Sequence, residues 1–184
     1  RLKDQTRLLG VVKAFAYGSE AVAISRKLES LGADYLAVAF SREGVALRGA
    51  GIRLPILVLH PQPEGLDELI DHCLEPSLYS RRIFLLFQKA LEKHQQKKYP
   101  IHLKFNTGLN RLGFPKADLE WVGSHLKASG VMEVRSLFSH LAASDDLEEW
   151  EYTRGQIRAF EDIIRKSESL LGGKPFKHLL NTSG

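Results

Sequence analysis

Lysine stands twice at the carboxyl end of an apolar run in this 184-residue chain. Leu8 to Val12 leads into Lys13-Ala14-Phe15-Ala16-Tyr17-Gly18-Ser19, and Ile101 to Phe105 carries Lys104 just ahead of Asn106-Thr107-Gly108-Leu109-Asn110-Arg111-Leu112-Gly113. The stem of such a lysine must cross the core edge, and its ammonium must find a partner. Two readings of Lys13 stand on this basis. It is a snorkelling side chain, or it is an amine that loses its proton and forms a Schiff base with a carbonyl cofactor. Two strand-end lysines and Arg111 near one mouth would repel each other unless something anionic lay among them. A phosphorylated cofactor with a phenolate oxygen would serve; the plain alternative is a solvated loop with a structural arginine.

Two further stretches carry chemistry. Phe138-Ser139-His140 ends a run, and small residues and acids follow it, Ala142-Ala143-Ser144-Asp145-Asp146. A histidine there is a satisfied core group or part of an active-site loop. At the end of the chain, His178-Leu179-Leu180-Asn181-Thr182-Ser183-Gly184 places hydroxyls and a glycine after a strand, where O–H and backbone N–H groups can face a phosphate.

The elements that must position these residues follow from hydrophobic periodicity. Strands are expected at Leu8–Val12, Asp34–Phe40, Pro55–His60, Leu74–Leu78 (weakened by Pro76), Ile101–Phe105, Val134–His140 and Phe176–Leu180. Helices are expected over Glu20–Leu31, with Ala21, Ile24, Leu28 and Leu31 inward, and over Arg42–Ala50 behind a Ser41 cap, with Glu43 in its first turn. A stripe of Leu66, Leu69, Ile70 and Cys73 marks another, and Ile83, Leu86, Phe87, Ala90 and Leu91 the clearest one. Leu119, Val122 and Leu126, closed by Gly130, mark a fifth, and Glu149–Leu171 a long sixth with Ile157, Phe160, Ile164 and Leu171 inward. Seven strands alternating with six helices is the rhythm of parallel βα units. No Gly-rich phosphate fingerprint follows the first strand, and polar residues end nearly every strand. The expected class is therefore α/β, a (β/α)8 TIM-type barrel. A barrel needs eight strands and about 250 residues, so an incomplete barrel, part of a longer protein, is expected over residues 1–184.

Composition narrows the function classes. The net charge of +4 is mild, with no basic stripe interleaved with aromatics, which argues against nucleic acid. The lone Cys73 cannot form an internal disulfide and reads as core packing; a reducing, cytoplasmic setting fits. No apolar run approaches the length of a membrane span.

Taken in order, the four stretches resemble alanine racemase, the pyridoxal-phosphate enzyme of bacterial cell-wall synthesis, and the resemblance covers essentially the whole chain. Lys13 to Gly18 is similar to the family's cofactor-lysine signature, and Lys104 to Gly113 to its Lys-x-Asp-Thr-Gly-x-x-Arg-x-Gly segment. The resemblance implies that Lys13 holds pyridoxal 5'-phosphate and acts as one of two catalytic bases in interconverting L- and D-alanine. Tyr17 would bind the cofactor phosphate and Arg111 its phenolic oxygen. Lys104, often carbamylated in this family, would position Arg111; His140 would lie against the cofactor ring. Asn181 and Thr182 would match the Asn-Ser pair at the phosphate. No metal is implied. The second base would be a tyrosine from the partner subunit's C-terminal β domain, which this chain lacks, so a homodimer with a shared active site is implied and the 184 residues alone are expected to be inactive. Phe15, Ser19 and Asn106 depart from the family pattern, and Ser19 with the Ala-Ala-Ser-Asp-Asp run resembles a Bacteroidetes-like branch in which the racemase is fused behind a cell-wall ligase. A non-catalytic pyridoxal-phosphate-binding barrel of cofactor homeostasis is the alternative, although such proteins generally lack the Thr-Gly-x-x-Arg-x-Gly segment.

Overall fold

The computed structural model describes residues 6–179, and the chain divides into two compact units meeting at Ser77 and Leu78. The first unit begins with β1 (Leu9–Val11), followed by a helical segment α1 (Lys13–Gly18), α2 (Ala21–Ser30), β2 (Tyr35–Val38), α3 (Ser41–Gly49), β3 (Ile56–Val58), α4 (Leu66–Asp71) and β4 (Glu75–Leu78). β1 pairs in parallel with β2, β2 with β3, and β3 with β4. Leu36, Ala37 and Val38 of β2 and Ile56, Leu57 and Val58 of β3 are fully buried. This is the apolar run of a strand covered on both faces, and each such Val, Leu or Ile contributes about 1.5–3 kcal/mol of burial.

The second unit holds α5 (Arg81–Lys93), β5 (Tyr99–Lys104), α6 (Leu119–Ser129), β6 (Met132–Phe138), α7 (Trp150–Leu170) and β7 (Phe176–His178). β5 and β6, and β6 and β7, are again parallel. Ser80 caps α5 by accepting the Ile83 N–H at 3.3 Å, and Ile83, Phe84, Phe87 and Leu91 form its buried stripe. The expected strand-then-helix alternation is present throughout, with seven strands among the described residues.

Several details differ from the periodicity reading. β1 is three residues long and only partly covered, not a buried five-residue strand. α2 buries Ser25, while Ile24 and Leu31 are exposed. Cys73 is exposed with a φ of 51°, because α4 ends at Asp71 and the chain turns before it; it is not core packing. β4 is fully buried despite Pro76, which sits opposite Val58 in the ladder. A proline is tolerated in a strand wherever the ladder does not call on its missing N–H. Phe160 is inward on α7 as expected, but it shares that face with Thr153, Gln156, Ile163 and Ser167, while Ile157, Ile164 and Leu171 are only partly covered.

Candidate active site

The candidate residues fall in both units: Lys13 and Tyr17 in the first, Lys104, Arg111 and His140 in the second. Asn181 and Thr182 lie outside the described residues.

In the first unit, the chain leaves β1 through a left-handed turn. Ala14, Phe15, Ala16 and Tyr17 all have φ between 51° and 58° and ψ between 40° and 54°. Four L-residues in succession in this region is rare, because each Cβ crowds the following carbonyl at about 1–2 kcal/mol per residue. The turn therefore carries about 4–8 kcal/mol of strain, and strain of this kind collects at functional sites. It closes through the Ala16 N–H, which donates to the Val12 carbonyl at 3.1 Å. Val12 itself is buried and tied to β2, its N–H donating to the Ala37 carbonyl at 2.8 Å. Lys13 is half-buried at the start of the turn, and its Nζ lies 5.9 Å from the centre of the Tyr17 ring. The turn thus folds an amine and a phenol of the same signature onto each other. Phe15 and Tyr17 are 79% and 67% exposed on this turn.

In the second unit, a register shift between Ile101 and His102 brings His102 opposite Ser136. An extra residue of this kind re-aims the side chains beyond it. His102 Nδ1 is 2.7 Å from Ser136 Oγ, which is 3.3 Å from His178 Nε2. His178 stacks on Phe138, centroids 4.7 Å apart and planes 5° off parallel. Burial, with a smaller contribution from the neighbouring charge of His102, lowers the His178 pKa from 6.5 to about 4. Lys104 is buried, 6% exposed, with its Nζ 5.6 Å from the centre of the Phe138 ring.

The loop after β5 is held by its own sequence. Asn106 Oδ1 accepts the N–H groups of Gly108 and Asn110 at 3.1 and 3.0 Å, an Asx-type turn that a carboxylate could equally make. Gly113, with φ of 140°, sits so close to the chain that a Cβ would lie 2.5 Å from the Asn106 nitrogen. Thr107 Oγ1 and Ser139 Oγ are 2.7 Å apart, which joins the loop after β5 to the one after β6. Arg111 is exposed on this loop.

Sequence reasoning missed the residues that hold these loops. Gln156, 1% exposed on α7, accepts the Ala142 N–H at 2.9 Å and donates to the His140 carbonyl at 3.1 Å. Tyr152 donates its hydroxyl to the Gly108 carbonyl at 2.7 Å, and Thr153 Oγ1 to the Ala143 carbonyl at 3.4 Å. The signal was available: Thr153, Gln156, Phe160 and Ile163 recur at helical spacing.

The family described as alanine racemase, N-terminal domain, matches residues 1–184. The chain belongs to that family. It is similar to the alanine racemase of Carboxydothermus hydrogenoformans, 32% identical over 184 residues, covering 100% of this chain and 49% of the relative. It is also similar to that of Geobacter sp. strain M21, 36% identical over 187 residues, again covering 100% of this chain and 49% of the relative. Among solved structures, alanine racemase of Clostridium difficile 630 superposes with a TM-score of 0.91 at 29% identity, covering 99% of this chain and 47% of that one. Its complex with cycloserine gives 0.92, also at 29% identity, with 99% and 50% covered. The expected fold class, an incomplete (β/α)8 barrel, is the one these matches give. The chain spans about half the length of the curated relatives it matches.

Proposed function

We propose that these residues form the cofactor-binding barrel part of a pyridoxal-phosphate-dependent alanine racemase, working in the cytoplasm on L- and D-alanine for peptidoglycan synthesis. The observation that carries the reading is the left-handed turn at the end of β1, which spends strain to set the Lys13 amine beside the Tyr17 phenol within the family's lysine signature. The donor set suits the group: a primary amine for its aldehyde, with Tyr17, Arg111, Asn181 and Thr182 as donors for its phosphate and phenolic oxygens. Bound pyridoxal phosphate supplies the electron sink that makes the Cα proton of an amino acid removable.

The chain's own residues do the rest. Lys13 would hold the cofactor through its amine, and as a free amine would be the base that takes or returns the Cα proton on one face. Arg111 would offer a fixed positive charge to the phenolic oxygen, and Lys104, buried at the end of β5, would position it. His140, whose carbonyl accepts from Gln156, would lie against the cofactor ring. The base for the opposite face comes from outside these 184 residues, from a second subunit of a homodimer.

The test uses the full-length protein. With pyridoxal phosphate it should show the visible absorption band of amine-linked cofactor and convert L- to D-alanine; Lys13→Ala should lose both, with turnover reduced by about 10² to 10⁴ or more. A band that persists in Lys13→Ala would sink the assignment. Cofactor binding without turnover in the unaltered full-length protein would instead favour a non-catalytic cofactor-binding barrel.

A further inference from the structure

The residues on either side of Lys13 are each tied to the carboxyl end of β2, Val12 directly and Ala14 through Glu43 of α3. On the amino side, Val12 N–H donates to the Ala37 carbonyl, continuing the β1–β2 ladder. On the carboxyl side no ladder is available, because the left-handed turn has begun. There the Ala14 N–H donates to Glu43 Oε1 at 2.8 Å. The second oxygen, Oε2, accepts the Ala39 and Phe40 N–H groups at 2.6 and 3.0 Å. One carboxylate thus ties the turn that carries Lys13 to the segment joining β2 and α3.

A glutamate three residues into a helix commonly reaches back to the N–H at its own cap. That habit accounts for the bonds to Ala39 and Phe40. It does not account for the bond to Ala14, 29 residues earlier. The first N–H groups of any helical turn lack an acceptor within the turn; Ala16 finds the Val12 carbonyl, and Ala14 finds Glu43. The chemistry also calls for a carboxylate. Three N–H donors converge on two acceptor oxygens, whereas an amide has one oxygen and would turn an NH2 group towards a donor.

We propose that Glu43 is a positioning residue for Lys13, its carboxylate fixing the strained turn against the end of β2 and so setting where the amine stands. The proposal rests on the reading of Lys13 as the cofactor amine. It is tested in the full-length protein with Glu43→Gln, by two measurements. The first is amide hydrogen exchange of the cofactor-free protein over residues 13–17, with Leu36–Val38 of β2 as the internal control. The second is the rate at which borohydride traps pyridoxal phosphate on Lys13, followed by peptide mapping. The expected result is exchange at 13–17 faster by threefold or more with β2 unchanged, and trapping slower by threefold or more. If Glu43→Gln loses protection in β2 as well, Glu43→Asp takes its place under the same thresholds, because it keeps the charge and shortens the reach by one methylene. Exchange at 13–17 within threefold of the unaltered protein overturns the proposal, as does unchanged trapping on Lys13. Lys13→Ala separates the two ideas: trapping that persists there refutes the cofactor reading, and the exchange measurement alone then decides the role of Glu43.

Discussion

His178 illustrates how a part-buried residue makes this fold sensitive to pH. Ser136 stands between two imidazoles, His102 and His178, with a single hydroxyl proton to share. Burial is the main cause of the lowered His178 pKa, with the charge of His102 a smaller one, and the folded value falls from 6.5 to about 4. Between those values the unfolded chain binds a proton that the folded chain refuses, so folding stability rises with pH across the window. The contribution is fully present above about 6.5 and is lost as the pH drops towards about 4, amounting to about 3 kcal/mol. Urea unfolding at pH 7.5 and 4.5, on the unaltered protein and on His178→Gln, should show the difference between the two pH values shrinking by about 2–3 kcal/mol in the variant. An unchanged difference would show that His178 does not couple protonation to folding. His178 itself was visible in the sequence as part of a strand-end motif. Its coupling to His102, 76 positions away, depends on an irregularity in the β5–β6 ladder that periodicity does not reveal.

At the scale of elements, α7 does more than cover the sheet. Its inward face replaces aliphatic residues with Thr153 and Gln156, and the latter satisfies a carbonyl and an N–H of the loop carrying His140. Gln156→Leu keeps the volume roughly but removes the acceptor of the Ala142 N–H and a donor to the His140 carbonyl, which costs about 1–3 kcal/mol. Thermal unfolding should show that loss. A change under about 0.5 kcal/mol, the scale of an ordinary surface substitution, would mean the loop does not depend on this side chain. Gly113→Ala tests the other loop: its φ of 140° and the 2.5 Å approach of the Asn106 nitrogen leave no room for a methyl group, so the loop after β5 must shift or the chain destabilise by more than about 1 kcal/mol. A fully stable Gly113→Ala with an unaltered loop would contradict that geometry. The same elements show what the sequence could tell. β2 and β3 announce themselves because both faces are covered and every residue must be apolar. α5 does so through its stripe, although its Ser80 cap was not read. The face of α7 was misread because its residues were chosen for hydrogen bonds to loops distant in sequence. The turn after β1 was legible as a site through Lys13, Tyr17 and Gly18, but its left-handed twist was not, since alanine, phenylalanine and tyrosine carry no local preference for positive φ. Cys73 was misplaced because a helical stripe was continued past the true end of α4.

On the scale of the whole molecule, racemisation makes a demand that the proposed Lys13 cannot meet alone. Inverting Cα requires a proton to leave one face and another to arrive at the opposite face, so one base on one face leads to exchange with retention. The chain spans about half the length of the curated relatives it matches, and the resemblance assigns the second base to a tyrosine of another domain. If that reading holds, the 184-residue chain, once loaded with pyridoxal phosphate, should still exchange the Cα proton of L-alanine in deuterated water through Lys13. It should form D-alanine at least about 10²-fold more slowly than the full-length protein, the usual contribution of one general acid–base group. Exchange is followed by the loss of the Cα proton signal, and configuration by a D-specific oxidase. Lys13→Ala in the same chain should abolish both. Racemisation at full-length rates by the short chain would place both bases within these 184 residues and overturn the two-subunit reading. Exchange without inversion would support a division of labour in which this barrel supplies the cofactor amine and one face of the chemistry.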